Sequence, residues 1–287
     1  MIPAVNFHLW QPCNMRCKFC FATFQDVKNS ILPKGHLPRE NAIEVVRKLA
    51  EIGFEKITFA GGEPTLCPWL SDLISTAKGY GLTTMIVSNG TFLTEKFLEE
   101  NRGQLDWITL SIDSLIDETN IYTGRAIRGK NPLNFDSYKN LIDQIKQSNY
   151  RLKINTVVNK ANYTEDLSPV IEYAQPERWK IFQVLPVAGQ NTNSVEAYLI
   201  QNEAFQLFLN NHSKLKHITA LVPENNVEMR GSYAMVDPAG RFYTNSDGIH
   251  RYSSPIIEVG AKQAYAEMDY DMAKFIGRGG QYNWKAE

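Results

Sequence analysis

The chain has 287 residues, 43% of them hydrophobic and 21% charged, with a formal net charge of −1. That length suits one large domain, or one domain with an extension, and can bury a substantial core. A charge this close to zero excludes a global field for nucleic acid or anionic membrane, so any polyanion has to meet a local cluster of cations.

Four cysteines, three of them within residues 13–20, exclude a disulfide framework and fit free thiols in a reducing cytosol. No signal-peptide pattern and no run of about 18 apolar residues occurs. Neither a helix-turn-helix pattern nor a basic amphipathic segment is evident. The expectation is a cytoplasmic monomer that engages neither nucleic acid nor membrane.

Residues 5–9 read as a strand leading into the cysteine stretch, and 30–38 as a polar, proline-bearing connection. Residues 39–52 have helical periodicity, with Ile43, Val46, Leu49 and Ile52 on one face and Gly53 at the C-cap. A strand at 56–60, a helix at 68–79 with Pro68 near its first turn, a strand at 83–88, a helix at 94–100 and a strand at 107–111 follow. A long loop to about residue 134 precedes a helix at 135–148, a strand at 151–157, a helix at 164–174 with Thr164 as N-cap, and a strand at 178–185. Six strands alternating with helices predict an α/β fold, a partial (β/α)6 TIM-like barrel whose ligands lie at the strands' carboxyl ends. Beyond 185 the rhythm changes to a Gly/Asn-rich loop, a helix at 202–211 and a hairpin of 233–237 with 241–244. This divides the chain into a barrel, 1–185, and an extension, 186–287, that closes the barrel's open side and contributes to its ligand site.

Cys13, Cys17 and Cys20 follow the first strand at C-x3-C-x2-C spacing. Soft thiolates suit iron–sulfur chemistry, and three ligands for a four-iron cubane leave one iron open. A three-ligand zinc site completed from afar is the alternative for the cysteines alone. Gly61-Gly62-Glu63-Pro64 ends the second predicted strand, where glycines let backbone approach a ligand and a carboxylate can accept from an ammonium. Ser88-Asn89-Gly90 ends the third, and Ser111-Ile112-Asp113 the fourth.

Strand parity adds a separate signal. Ile57 and Phe59, Leu152 and Ile154, and Trp179 and Ile181 each share one face, which must meet the covering helices. Lys56, Lys153 and Lys180 then point into the barrel, with Asn155 beside Lys153. Inward cations are costly unless a polyanion compensates them, which argues for a phosphorylated substrate. Internal salt bridges to Glu63 or Asp113 are the alternative.

With its Gly-Gly-Glu-Pro, the cysteine motif resembles the radical S-adenosylmethionine (SAM) superfamily, and Phe19 before Cys20 fits the pattern. The chain is similar over nearly its whole length to the viperin family. The carrying stretches include Val5-Asn6-Phe7-His8, Gly124-Arg125, Lys153-Ile154-Asn155, Arg178-Trp179-Lys180, Leu221-Val222-Pro223-Glu224, Ser232-Tyr233, Arg241-Phe242 and Arg278-Gly279-Gly280-x-Tyr282-x-Trp284. The resemblance implies a 4Fe–4S cluster on Cys13, Cys17 and Cys20, with SAM chelating the open iron. SAM would contact Phe19, Gly61, Gly62, Glu63, Ser88, Asn89 and Ser111. It also implies an external electron donor of flavodoxin or ferredoxin type, and dehydration of a nucleoside triphosphate (CTP, or UTP or GTP) to its 3′-deoxy-3′,4′-didehydro analogue, an antiviral chain terminator. Lys56, Arg125, Lys153, Asn155 and Lys180 would hold the triphosphate, Tyr233 would donate a proton or hydrogen, and Asn225, Asn226 and Asn245 would lie near the base.

Several positions depart from the animal pattern. Ala60 stands where animal viperins have serine, Asn225 replaces a serine, and Tyr243-Thr244-Asn245 replaces Leu-Asn-Cys. The last two changes fall where the base is expected, so cytosine preference is open. The N-terminal amphipathic helix and the extended tail of animal viperins are not expected here. Another radical SAM enzyme acting on a phosphorylated substrate, or a non-enzymatic cluster- or zinc-bearing nucleotide-binding regulator, are the competing readings.

Overall fold

The computed structural model describes residues 1–285, so the last two residues of the expected extension lie outside it. One ten-stranded sheet runs in the order β10-β9-β8-β1-β2-β3-β4-β5-β6-β7. Its middle is the expected set of six parallel strands: β1 (Ala4–Trp10), β2 (Lys56–Gly61), β3 (Thr83–Ser88), β4 (Trp107–Ser111), β5 (Arg151–Val158) and β6 (Arg178–Gln183). The helices are α1 (Arg39–Glu51), α2 (Leu70–Gly79), α3 (Glu95–Glu100), α4 (Asp117–Thr123), α5 (Phe135–Gln147), α6 (Ser168–Ala174) and α7 (Asn202–Asn211). Four more follow: α8 (Asn226–Met229), α9 (Ile256–Val259), α10 (Ala261–Ala266) and α11 (Met272–Gly277). The sheet curls without closing, a partial barrel with β10 and β7 at its free edges.

The extension lengthens the sheet at both ends. β7 (Ala220–Glu224) pairs in parallel with β6, and β8 (Ala234–Val236) in parallel with β1. β9 (Arg241–Thr244) and β10 (Arg251–Pro255) continue antiparallel from β8. β7 escapes sequence reading because it carries Pro223, which fits only an edge strand. The loop expected before residue 134 contains α4, whose polar composition hides it; Gly124 ends α4 at φ +78°. The last barrel helix starts at Ser168 rather than at a Thr164 cap. In α1 the buried face is Ala42, Val45, Val46 and Leu49, rotated from the expected one so that Ile43 and Ile52 flank it.

The outward faces of the strands make the core. Ile57, Phe59, Ile154, Trp179 and Ile181 are fully buried. The tail after α11 turns in under the strands' amino ends. Trp107 Nε1 donates to Trp284 O at 2.9 Å, Arg178 Nη2 to Gly279 O at 2.8 Å, and Arg151 Nη2 to Asn283 O at 3.1 Å. The barrel interior is therefore plugged at one end by the tail and capped at the other by the cysteine loop.

Candidate active site

The cysteine loop is clamped by backbone. Gly62 N donates to Trp10 O, and Glu63 N to Pro12 O at 2.9 Å. Arg16 N reaches Gly124 O at 3.1 Å and Lys18 N reaches Thr123 O at 2.9 Å. A Cβ on Gly62 would stand 2.2 Å from Gln11 O and 2.3 Å from Pro12 O, and one on Gly124 would stand 2.1 Å from Arg16 O. The glycines expected to admit a ligand thus admit the chain's own backbone just ahead of Cys13. Gly62→Ala should lower stability by about 2–4 kcal/mol, roughly 5–15 °C in Tm, because backbone rather than a side-chain tip has to move. Thermal unfolding followed by circular dichroism checks this; a melt unchanged within a degree would mean the loop entry yields freely.

Cys13, Cys17 and Cys20 are free and half-buried. Burial pushes the thiols up, Cys13 to about 11 and Cys17 to about 12, with Arg125 beside Cys17 partly offsetting the rise there. Met15 N donates to Cys13 Sγ at 3.4 Å. Cys67 is packed in the core and adds no fourth ligand. Among the described residues no three His, Cys, Asp or Glu side chains converge on one ion. The donor set, three soft thiolates on one loop with an amide on sulfur and a guanidinium nearby, fits a 4Fe–4S cluster.

Glu63, fully buried, forms a clasp at the carboxyl ends of β2 and β3. Its carboxylate accepts from Thr65 N at 3.1 Å, Thr65 Oγ1 at 2.6 Å, Ser88 Oγ at 2.8 Å and Asn89 N at 2.8 Å. Asn89 Nδ2 donates to Asn14 Oδ1 at 2.9 Å, tying the clasp to the cysteine loop. Ser111 is half-exposed at the end of β4. Phe19 is buried against Tyr198, with its carbonyl held by Asn191. Phe19, Gly61, Gly62, Glu63, Ser88, Asn89 and Ser111 therefore belong to the cysteine loop or to the strand ends facing it.

Below this layer lies a cavity with about 580 Å³ of empty space, part of it open to solvent. Lys56, Lys153, Asn155 and Lys180 line it, as parity requires, together with Asn6, Thr58, Arg178, Tyr233, Arg278 and Tyr282. Lys180 and Arg278 pair with Glu224, the latter at 3.2 Å; neither Glu63 nor Asp113 serves this role. Among the described residues no carboxylate lies within ion-pair distance of Lys56 or Lys153. Burial, and after it Lys180, push the ammonium groups of Lys56 and Lys153 well below their ordinary range. Burial also brings Lys180 down to about 7, although Glu224 pulls it back up. Asn155 Oδ1 is buried without a partner.

Tyr233 stands at the edge of this cavity. Its hydroxyl donates to Glu224 and accepts from Lys180 Nζ at 2.6 Å, while the Arg278 guanidinium stacks 3.6 Å from its ring centre. Arg125 is placed elsewhere than the expected triphosphate site. It is bonded through Nε to Asp113 at 2.6 Å, beside Cys17, and does not line the cavity. Asn225 caps α8 with a capping box, Asn226 is held through its backbone to Gln183, and Asn245 accepts from Gly231 N at 3.3 Å. None of the three lines the cavity. Sequence reasoning gave no role to Asn6 and Arg178, although both share a face with residues it singled out. It missed Glu224 because β7 was not legible.

Comparison with known proteins matches this architecture. Residues 10–174 match the Radical SAM superfamily model. A protein of Lacinutrix mariniflava named S-adenosylmethionine-dependent nucleotide dehydratase is 60% identical over 99% of this chain, which spans 59% of that relative's length. A protein of the same name from Flammeovirga pacifica is 56% identical, covering 99% of this chain and 97% of its own. S-adenosylmethionine-dependent nucleotide dehydratase RSAD2 of Danio rerio is 36% identical over 98% of this chain and 78% of its own. Among solved structures, anSMEcpe with bound AdoMet superposes with a TM-score of 0.69 at 15% identity, covering 91% of this chain and 80% of that one, a likeness of fold alone. The cysteine loop, the partial barrel and these identities together show that the chain belongs to the S-adenosylmethionine-dependent nucleotide dehydratases of the radical SAM superfamily.

Proposed function

We propose that the chain dehydrates a nucleoside triphosphate, CTP or alternatively UTP or GTP, to its 3′-deoxy-3′,4′-didehydro analogue, a chain terminator of antiviral use. The carrying observation is the cavity: five cationic side chains, Lys56, Lys153, Arg178, Lys180 and Arg278, line it, and among the described residues the carboxylate found in ion-pair contact with any of them is Glu224, which pairs with Lys180 and Arg278. A triphosphate supplies the missing negative charge. Cys13, Cys17 and Cys20 would hold the cluster, which with SAM supplies a 5′-deoxyadenosyl radical when bound. The chain's own share is to grip the triphosphate through Lys56, Lys153, Asn155 and Lys180, hold the ribose toward the cysteine loop and exclude water. Tyr233 protonates, or orients a water that protonates, the departing 3′-hydroxyl. The base would extend beyond the cavity lining toward the region of Asn225, Asn226 and Asn245. In this reading 1–185 is the catalytic barrel, and the extension from 186 completes the nucleotide site. A flavodoxin- or ferredoxin-type protein reduces a cytoplasmic monomer.

The test is anaerobic. Reconstituted, reduced protein is given SAM with CTP, UTP, GTP or ATP singly, and 5′-deoxyadenosine and a nucleotide lighter by one water are measured. One nucleotide should stimulate both. SAM cleavage indifferent to nucleotide would move the substrate elsewhere, and its absence with an intact reduced cluster would defeat the reading.

Binding should also take up protons. Between pH 7 and 8 the free protein holds Lys180 partly neutral, burial displaces Lys56 and Lys153 in the same direction, and a polyanion favours the charged forms of all three. The sign is therefore uptake on binding, with affinity falling as pH rises above about 7. Calorimetry in buffers of different ionisation enthalpy reads it; release of protons would contradict the charge assignment.

A further inference from the structure

Beside the nucleotide cavity lies an aromatic chamber in which three buried polar atoms have no partner: His8 Nδ1, Tyr243 Oη and His250 Nε2. His8 shares the inner face of β1 with Asn6, which lines the cavity, and stands one layer closer to the cysteine loop. Its ring lies 5.8 Å from that of Tyr243, which lies 4.7 Å from that of His250. Phe21 and Phe24, just past the last cysteine, close the chamber. Phe24 does so with φ at +46°, a left-handed backbone conformation unfavourable for a residue with a Cβ.

Three orphaned polar atoms in one apolar chamber are each unfavourable unless water bridges them. The chamber also connects outward. His250 Nδ1 lies 3.4 Å from Tyr252 Oη, which lies 3.4 Å from Asp26 Oδ1, and the Asp26 side chain is 39% exposed. Inward, Tyr233 packs against the same apolar cluster that holds Phe24 and Tyr243.

We propose that Asp26, Tyr252, His250, Tyr243 and His8, bridged by water, form a proton relay from solvent to the ribose side of the cavity beside Tyr233. The relay rests on the dehydration reading above. In that reaction the 4′-hydrogen leaves as a hydrogen atom to the 5′-deoxyadenosyl group, and the C3′–O bond breaks. One proton joins the departing hydroxyl to make water. Two electrons arrive singly from the external one-electron reductant, one for SAM cleavage and one for the product. The proton has to come from solvent, and the cavity around it is lined with cations that repel one. Inward of Asp26, which pairs with Arg241 at 3.2 Å, a route through groups that stay neutral avoids the cations of the cavity. Burial holds His8 down near 3 and His250 near 4, so both imidazoles pass a proton by exchanging tautomers.

Two measurements decide it. In protein carrying ¹⁵N-histidine, nitrogen shifts should report both His250 nitrogens and His8 Nδ1 as hydrogen-bonded, with the His250 signals moved by Tyr243→Phe. Nitrogens free of hydrogen bonds overturn the relay whatever the enzyme turns over. In turnover, His250→Phe should keep nucleotide-dependent 5′-deoxyadenosine while dehydrated nucleotide per 5′-deoxyadenosine falls about tenfold. Tyr243→Phe, which removes only an unpartnered hydroxyl and should fold as the parent does, should enlarge the solvent deuterium effect on that ratio. Variants with the parent's ratio and isotope effect overturn the relay. A parent whose 5′-deoxyadenosine formation ignores nucleotide refutes the dehydration reading instead, leaving the nitrogen shifts to decide whether the hydrogen-bonded chain exists.

Discussion

Lys153→Met is expected to stabilise the nucleotide-free protein and to weaken its hold on a triphosphate. Lys153 is 8% exposed, with Lys180, Lys56 and Arg178 raising the local positive potential and no carboxylate in ion-pair contact among the described residues. Replacing buried ionic groups by well-packed apolar side chains of similar volume is often neutral or stabilising by about 1–4 kcal/mol, and a lysine that burial pushes toward its neutral form falls in the same class. At roughly 2–4 °C per kcal/mol, Tm should rise by several degrees. The same change removes a charge-assisted contact to phosphate and should cost about 2–3 kcal/mol, or roughly 30- to 150-fold in Kd. Thermal melts with and without nucleotide measure both terms. A variant less stable than the parent, with unchanged nucleotide affinity, would mean that Lys153 packs the barrel rather than serving a ligand. The opposed signs matter because a structural lysine lowers stability when removed, whereas a lysine kept for a polyanion raises it.

That expectation was within reach of the sequence because parity is a local property. Lys153 sits between Leu152 and Ile154, and an apolar face against helices leaves the lysine one direction to point. The cysteine loop and the strand-end motifs are legible for the same reason, since their meaning lies in short spacings. The counter-charge is not. Glu224 ends an edge strand that contains a proline, and it reaches Lys180 only because β7 pairs with β6 across the intervening residues 184–219. The tail is equally hidden, since nothing local in Gly279-Gly280 shows that Arg178 will bind a carbonyl there. Gly62 is a middle case. Its need for close approach could be read, but the approaching group is Gln11 and Pro12, which only the β1–β2 register reveals. The surroundings of Arg125 were not legible either: Asp113, twelve residues earlier, bonds it beside Cys17, and it is not among the residues that line the cavity.

Glu224→Gln should produce the largest loss of stability of any single change at the site. The carboxylate is fully buried and receives Lys180, Arg278 Nη1 and the Tyr233 hydroxyl. Burial alone would raise its pKa, but Lys180 and Arg278 outweigh that and hold it below the ordinary carboxylate range. Glutamine keeps one acceptor oxygen and turns an amide donor toward Tyr233, whose oxygen already accepts from Lys180. Breaking one side of a buried ion network costs about 3–5 kcal/mol, so Tm should fall by roughly 10 °C or more. Nucleoside triphosphate should then restore more stability to the variant than it adds to the parent, because its phosphates supply the anion the cations have lost. Inorganic tripolyphosphate should do the same, separating this charge effect from recognition of the base. Melts of the parent and variant, each with and without tripolyphosphate, contain the whole argument. Equal ligand-induced shifts in the two proteins would show that Glu224 and the phosphates do not answer the same cations.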